Sequence, residues 1–249
     1  MTTGVNPVRY LVISDIHANR AAMEAVLRDA APFDMVWCLG DLVGYGPDPN
    51  ECVARIQDFE HICVAGNHDW AVMGYLNLDD FNTDARIAHL WTREELTSVS
   101  REYLQELPIR LEQGDFTLVH GSPREPLWEY VLDLGGAMIS FSHFSTPFCL
   151  VGHTHLPLIF VLDPNAGHPH AMVPEIGTPI PLRGHRMILN PGSVGQPRDG
   201  DPRASYAILD TEAMTWELHR VPYPIEITQE RMRARGLPRR LIARLEVGR

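Results

Sequence analysis

With 249 residues, 45 % of them hydrophobic and 21 % charged, the chain holds enough apolar material to bury one large α/β core; intrinsic disorder and a second full domain are not expected. Four cysteines without a CxxC pair argue against a disulfide framework or a zinc–thiolate site, and the complete absence of lysine excludes any mechanism built on a catalytic lysine. The net charge of −11 is uneven: residues 229–249 carry seven Arg against two Glu, a balance of +5 that leaves −16 on the rest, so stable sequence-independent nucleic-acid binding is not expected.

The first residues lack the basic-then-apolar pattern of a signal peptide, and no apolar run of about 18 residues could span a bilayer. A soluble, cytoplasmic protein is the expectation. In chain order, a first strand is predicted over 8–14, running into Asp15-Ile16-His17, with Asn19 capping a helix over 20–30. A second strand over 35–39 ends at Gly40-Asp41, and Asp48 or Asn50 opens a helix reaching Phe59. A third strand over 61–65 ends at Gly66-Asn67-His68-Asp69. These three are nearly continuous in hydrophobicity, as buried parallel strands are.

Residues 83–107 read as one longer helical stretch ended by Pro108, with Ile87, Leu90, Trp91 and Leu96 as its apolar face. Strands follow over 116–119, running into His120-Gly121, and over 148–151, running into Gly152-His153-Thr154-His155. The later runs, 158–162, 186–189, 205–209 and 215–221, are separated by Pro- and Gly-rich turns and suit an antiparallel sheet. Two packed sheets with helices outside accommodate both halves. The arginine-rich tail reads as a solvated surface helix, with a subunit contact or an acidic-partner site as the other readings.

Chemistry is concentrated at the strand ends. Side chains at i and i+2, such as Asp15 and His17, leave the same side of an extended backbone and can meet one ion. Glycines before Asp41, Asn67 and His153 permit the sharp turns that aim those residues outward, and carboxyl ends of parallel strands are where open α/β sheets place their sites. One histidine alone is more often structural than a ligand, but five strand ends in series deliver two aspartates, an asparagine and five histidines. Such imidazole and carboxylate donors suit two divalent ions such as manganese, iron, zinc, cobalt or nickel.

The series DxH, GD, GNH(D/E), H and GHxH resembles that of the calcineurin-like metallophosphoesterase superfamily, over about residues 8–222. The resemblance implies a four-layer αββα sandwich of two mixed sheets with flanking helices; residues 70–107 read as a lid-like helical insertion in it, and 223–249 as an arginine-rich tail outside it. It further implies that Asp15, His17, Asp41 and His155 hold one metal and that Asp41, Asn67, His120 and His153 hold the other, with Asp41 bridging. His68 would stay off the metals as a catalytic acid; from the residues themselves, Asp69 could orient its imidazole or serve only at the surface. Two divalent ions about 3.5 to 4 Å apart can polarise phosphoryl oxygens and generate a bridging hydroxide near neutral pH. Ala18 stands where relatives often carry Gly.

The segments Gly40-Asp41-Leu42-Val43-Gly44 and Ala65-Gly66-Asn67-His68-Asp69 lack the arginines of the protein-phosphatase forms GDxxDRG and RGNHE. With Asn190-Pro191-Gly192-Ser193-Val194-Gly195, this is similar to the small bacterial phosphodiesterase branch. The resemblance therefore implies a metal-dependent phosphodiesterase of a small phosphodiester, a nucleotide above all. A dinucleoside polyphosphate hydrolase is the alternative within that chemistry, and a non-catalytic metal-binding scaffold is the alternative outside it. Arg198 and Arg203 could pair with substrate phosphate, Tyr45 and Trp91 could stack on a base, and a homo-oligomer is left open.

Overall fold

The computed structural model describes residues 9–163, 165 and 167–249; Val8, the first residue of the first predicted strand, lies outside them. The chain runs β1 (Arg9–Ile13), α1 (Arg20–Asp29), β2 (Met35–Cys38), α2 (Pro49–Ile56), β3 (His61–Cys63), α3 (Asn67–Met73), α4 (Thr83–Glu95) and α5 (Ser98–Glu106). It continues through β4 (Arg110–Gln113), β5 (Phe116–Val119), α6 (Leu134–Phe141), β6 (Phe148–Leu150), β7 (Pro157–Leu162), β8 (Pro169–Met172) and β9 (Ile180–Pro181). The last elements are β10 (Arg186–Pro191), β11 (Ala204–Asp210), β12 (Thr215–Val221), α7 (Ile225–Ala234) and α8 (Arg239–Ala243). Among the described residues, no helix is long and apolar enough to cross a membrane.

Two six-stranded mixed sheets result, ordered β3-β2-β1-β11-β12-β9 and β4-β5-β6-β10-β7-β8. Strand alternation divides their side chains among three layers of core. Leu11 and Ile13 face a cluster with α1 and α2, whereas Val12 between them points into the cluster shared by both sheets with Trp37, Leu118, Leu150 and Leu209. On the far side, Val119, Cys149, Phe160 and Ile188 turn away from that shared layer toward Ala137 and Phe141 of α6. Helix, sheet, sheet and helix therefore stack as the expected αββα sandwich. All four cysteines are free and buried in it.

Three strands have no counterpart in the predicted set: β4, β8 and β9. Each stands at a sheet edge, where only one side is paired and the half-exposed residues need not form an apolar run. The predicted single helix over 83–107 is two helices. Thr97 breaks it by accepting the amide of Ser100 at 3.2 Å and starting a new helix. Its predicted apolar face is also corrected, since Ile87 and Leu90 are 45 % and 44 % exposed. The buried residues of α4 are Ala85, Ala88, His89 and Thr92; the small Ala85, Ala88 and Thr92 let the helix approach its neighbours closely. Trp91 packs at the edge of the resulting cluster, beneath Arg235.

The tail is not a solvated helix. Met232, Leu237, Leu241, Ile242 and Leu245 are at most 5 % exposed and pack against Tyr45, Ala85 and Ala88. The three- and four-residue steps among Leu237, Leu241, Ile242 and Leu245 give the segment an inner apolar stripe despite its arginines. Arg231 Nη1 also donates to Asp48 Oδ2 at 2.9 Å, tying the tail to the start of α2.

Candidate metal centre and active site

The predicted residues meet at one place, beyond the carboxyl ends of β1, β2, β5 and β6. Asn67, His68 and Asp69 form the first turn of α3 rather than a loop, and Asp69 Oδ2 closes that turn by accepting Gly66 N–H at 2.9 Å. Asp15, His17, Ala18, Asp41, Tyr45, His153 and His155 all have positive φ; among the described residues the one other non-glycine with this conformation is Met214. Each such residue costs on the order of 1 kcal/mol or more, and the concentration of strain marks where the backbone is held for a purpose other than stability. Gly66 must be glycine here, because a Cβ would collide with Asp41 Oδ1.

The Asn-Pro-Gly-Ser segment acts as a clamp on these turns. Ser193 Oγ donates to Asp15 O at 2.8 Å, and Val194 and Gly195 N–H donate to Ser14 and Asp15 O at 3.0 and 2.9 Å. Asn190 Nδ2 donates to Gly152 O at 2.8 Å and Thr154 Oγ1 at 3.0 Å. One segment thus fixes the two loops that bear Asp15, His17, His153 and His155.

Hydrogen-bond chemistry tests whether the centre fits cations. His17 Nδ1 lies 3.3 Å from Val43 O, and His155 Nδ1 lies 2.5 Å from Gln196 O. Carbonyls only accept, so each Nδ1 carries the proton and each Nε2 presents a lone pair. Those two Nε2 atoms face each other at 3.1 Å, with Asp15 Oδ1 at 3.8 and 3.2 Å. Burial pushes the His17 imidazole down to about 3, the nearby His155 adding to the effect against Asp41 and Asp15, so protonation does not relieve the repulsion.

The second group repeats the pattern. His120 Nδ1 reaches Leu39 O at 2.8 Å and His153 Nε2 reaches Trp128 O at 3.2 Å. The remaining His120 Nε2 and His153 Nδ1 are 3.1 Å apart, with Asn67 Oδ1 and Asp41 Oδ2 each 3.2 Å from His120 Nε2. Burial disfavours a charged His120, but the negative charge of Asp41 outweighs it and pushes the imidazole up to about 9. A proton there takes the place a cation would fill. Asp41 Oδ2 is also 3.7 Å from His17 Nε2, which sets this carboxylate between the groups. Asp15 Oδ1 and Asp41 Oδ2 are buried without a hydrogen-bond partner. Among the described residues, three sets could hold a metal: Asp15, His17 and His155; Asp41, His120 and His153; and His17, Asp41 and His68.

The centre floors a cavity of about 130 Å³, lined among others by Asp41, Asn67, His68, Tyr130, His153 and Arg198. Arg198 is therefore where the sequence suggested, its Nη2 held by Gln196 Oε1 at 3.0 Å. Arg203 is elsewhere, paired with Asp201 at 2.6 Å. Of the 70–107 segment, Asp80, Phe81 and Asn82 reach the cavity wall.

Asp69 does not orient His68. Its Oδ1 accepts Val43 N–H at 3.0 Å and its Oδ2 is taken by Gly66; burial, then the charge of Asp41, pushes its carboxyl up to about 7. The partner of His68 Nδ1 is His89 Nε2 of α4, at 2.7 Å. His89 gave no signal because it lies mid-helix in no motif. Tyr130, stacked on His153 at 4.1 Å and 11°, comes from a loop without periodicity and was likewise unforeseen.

A double-sheet sandwich with an Asp- and His-lined centre at its strand ends defines a protein of the metallophosphoesterase class. Residues 8–214 match the calcineurin-like phosphoesterase superfamily domain, and the chain belongs to that superfamily. It is similar to a metallophosphoesterase from Sphaerobacter thermophilus, at 49 % identity and a TM-score of 0.90 over 98 % of this chain and 100 % of that one. It is 37 % identical over 246 residues to uncharacterized protein MJ0912 of Methanocaldococcus jannaschii, covering 96 % of this chain and 97 % of that protein. Similarity to phosphodiesterase YfcE of Escherichia coli is lower, 24 % over 218 residues, or 84 % of this chain and 90 % of that one. Membership supports phosphoester hydrolysis with divalent metal.

Proposed function

We propose that the protein is a binuclear metal-dependent phosphodiesterase acting on a small diester, of nucleotide type. The observation that carries this reading is the pair of acceptor clusters, His17/His155/Asp15 and His120/His153/Asn67, joined by Asp41. Asp15, His17, Asp41 and His155 fit one divalent ion, and Asp41, Asn67, His120 and His153 fit a second. When bound, such a pair polarises phosphoryl oxygens and activates water at neutral pH.

The chain's own groups supply the rest. Val43, Gln196, Leu39 and Trp128 carbonyls hold the four imidazoles in one tautomer each. Arg198 offers a guanidinium to the phosphate at the cavity wall. His68 faces the same cavity and presents the N–H of the nitrogen away from His89 to the leaving oxygen, while burial, and next the charge of His89, keeps its pKa well below the ordinary histidine value. The protein-phosphatase arginines are absent from both motifs, which favours diesters over phosphoproteins.

The test is a screen of purified protein against nucleotides and phosphodiesters, with manganese, iron, zinc, cobalt and nickel supplied in turn. A monoester product from a cyclic or simple diester supports the reading. Nucleoside diphosphates released from a dinucleoside polyphosphate, without diester cleavage, would replace it with the anhydride alternative. Inactivity with every metal would leave the scaffold reading.

A further inference from the structure

Beside the metal centre lies a larger cleft of about 560 Å³. Tyr45, Asn82, Tyr130 and Arg198 line both cavities, so the two adjoin. The far wall comes from the C-terminal segment, which contributes Arg240, Arg244 and Arg249. With Arg198 this sets four guanidinium groups against a single side-chain carboxylate in the lining, Asp84.

Among the described residues, Arg198 and Arg240 make no ion pair, and Arg244 donates from Nε to the Arg249 oxygen but reaches no side-chain carboxylate. Arg198 Nε is buried without a hydrogen-bond partner. Burial, and next the charge of Arg198, pushes Arg244 down to about 10, which is the mark of cations held near each other with too little compensation. They are not free to separate: Leu241 and Leu245, which flank Arg244, are locked against Tyr45, Ala85 and Ala88. A chain of net charge −11 has carboxylates to spare, yet this cleft is left positive. Guanidinium groups arranged this way match the oxygens of a phosphate chain.

We propose that this cleft binds a second phosphate group of the substrate, away from the one at the metal centre, so that the preferred substrates carry two or more phosphates. The preference for such substrates rests on the hydrolase reading above; the anion site itself does not.

Two measurements separate them, each on the full-length wild-type chain and on Arg244→Gln and Arg240→Gln. Arg240 is exposed, so its replacement leaves packing intact. The first is calorimetric titration with inorganic tripolyphosphate in the presence of chelator, where no metal can hold the anion. Wild type binds, and each variant binds about tenfold or more weakly, the loss expected for one charge-assisted contact. The second is the ratio of kcat/KM for diadenosine tetraphosphate to that for bis(p-nitrophenyl) phosphate, which falls by a similar factor through KM. No tripolyphosphate binding by wild type, or binding unchanged in both variants, overturns the proposal. Arginine-dependent binding in a protein that cleaves neither ester with any metal would uphold the anion site and sink the hydrolase reading instead.

Discussion

His89 Nε2 lies 2.7 Å from His68 Nδ1, and the other nitrogen of the fully buried His89 has no partner. Between two neutral imidazoles one proton must lie in the contact. Were it on His68, the orphaned His89 nitrogen would be a buried N–H donor, which is rarer and costlier than an orphaned acceptor. His89 therefore donates, His68 Nδ1 accepts, and the second nitrogen of His68 carries a proton. Burial, against the charge of Asp41, pushes His89 down to about 4, so it stays neutral in this role.

Replacing His89 should consequently act through His68. His89→Ala is expected to lower kcat on a nucleotide diester by up to about a hundredfold, the bottom of the range for acid–base assistance because His89 acts only through His68, with little change in KM or bound metal. His89→Gln, which restores an N–H near the same place, should recover part of the loss. A uniform loss in both variants, with metal released, would mean that His89 serves packing alone.

His68→Ala should keep both metals while losing about 10² to 10⁴-fold on a nucleoside leaving group and far less on a p-nitrophenyl ester. The group His17, Asp41 and His68 is compact enough to hold an ion, so metal analysis must accompany the kinetics. Loss of a metal from His68→Ala would make this residue a ligand; equal losses on both esters would make it an electrostatic stabiliser.

Activity should vanish on chelation and return with manganese or a similar ion. Of the carboxylate changes, Asp41→Asn should be the most damaging, since Asp41 Oδ2 faces His17 and His120 at 3.7 and 3.2 Å and serves both clusters. Two metals retained at near-normal rate in Asp41→Asn would refute the shared carboxylate.

Asn190→Ala removes the two hydrogen bonds that hold Gly152 and Thr154. Because these position His153 and His155 without touching an ion, metal affinity should fall about tenfold to a hundredfold while the fold survives. Metal titration followed by circular dichroism distinguishes this from general destabilisation.

Diesters or anhydrides should exceed phosphoserine peptides in kcat/KM, and Arg198→Ala should raise KM for diesters about tenfold, as loss of a charge-assisted hydrogen bond does. Phosphopeptide hydrolysis without diester cleavage would point to another branch of the superfamily.

What the sequence determined by itself is the set of central strands and the groups at their ends. A buried parallel strand must be apolar throughout, and a glycine or aspartate after it stands out against that run, so Asp15, Asp41, His120 and His153 were legible from periodicity alone. Edge strands β4, β8 and β9 escaped because exposure frees their composition. Long-range packing decided the remainder. That α4 buries Ala88 and His89 rather than Leu90 depends on how closely the helix approaches α3 and the tail, which no local pattern encodes. Asp69 sits next to His68 in sequence yet spends its oxygens on Val43 and Gly66, while the imidazole's partner arrives from 21 residues away. The arginine-rich tail reads as a solvated face until Leu241 and Leu245 are seen docked on Tyr45. Only that docking carries Arg240 and Arg244 to the mouth of the site, because charge is set by composition but its position relative to a distant cleft is set by tertiary contacts.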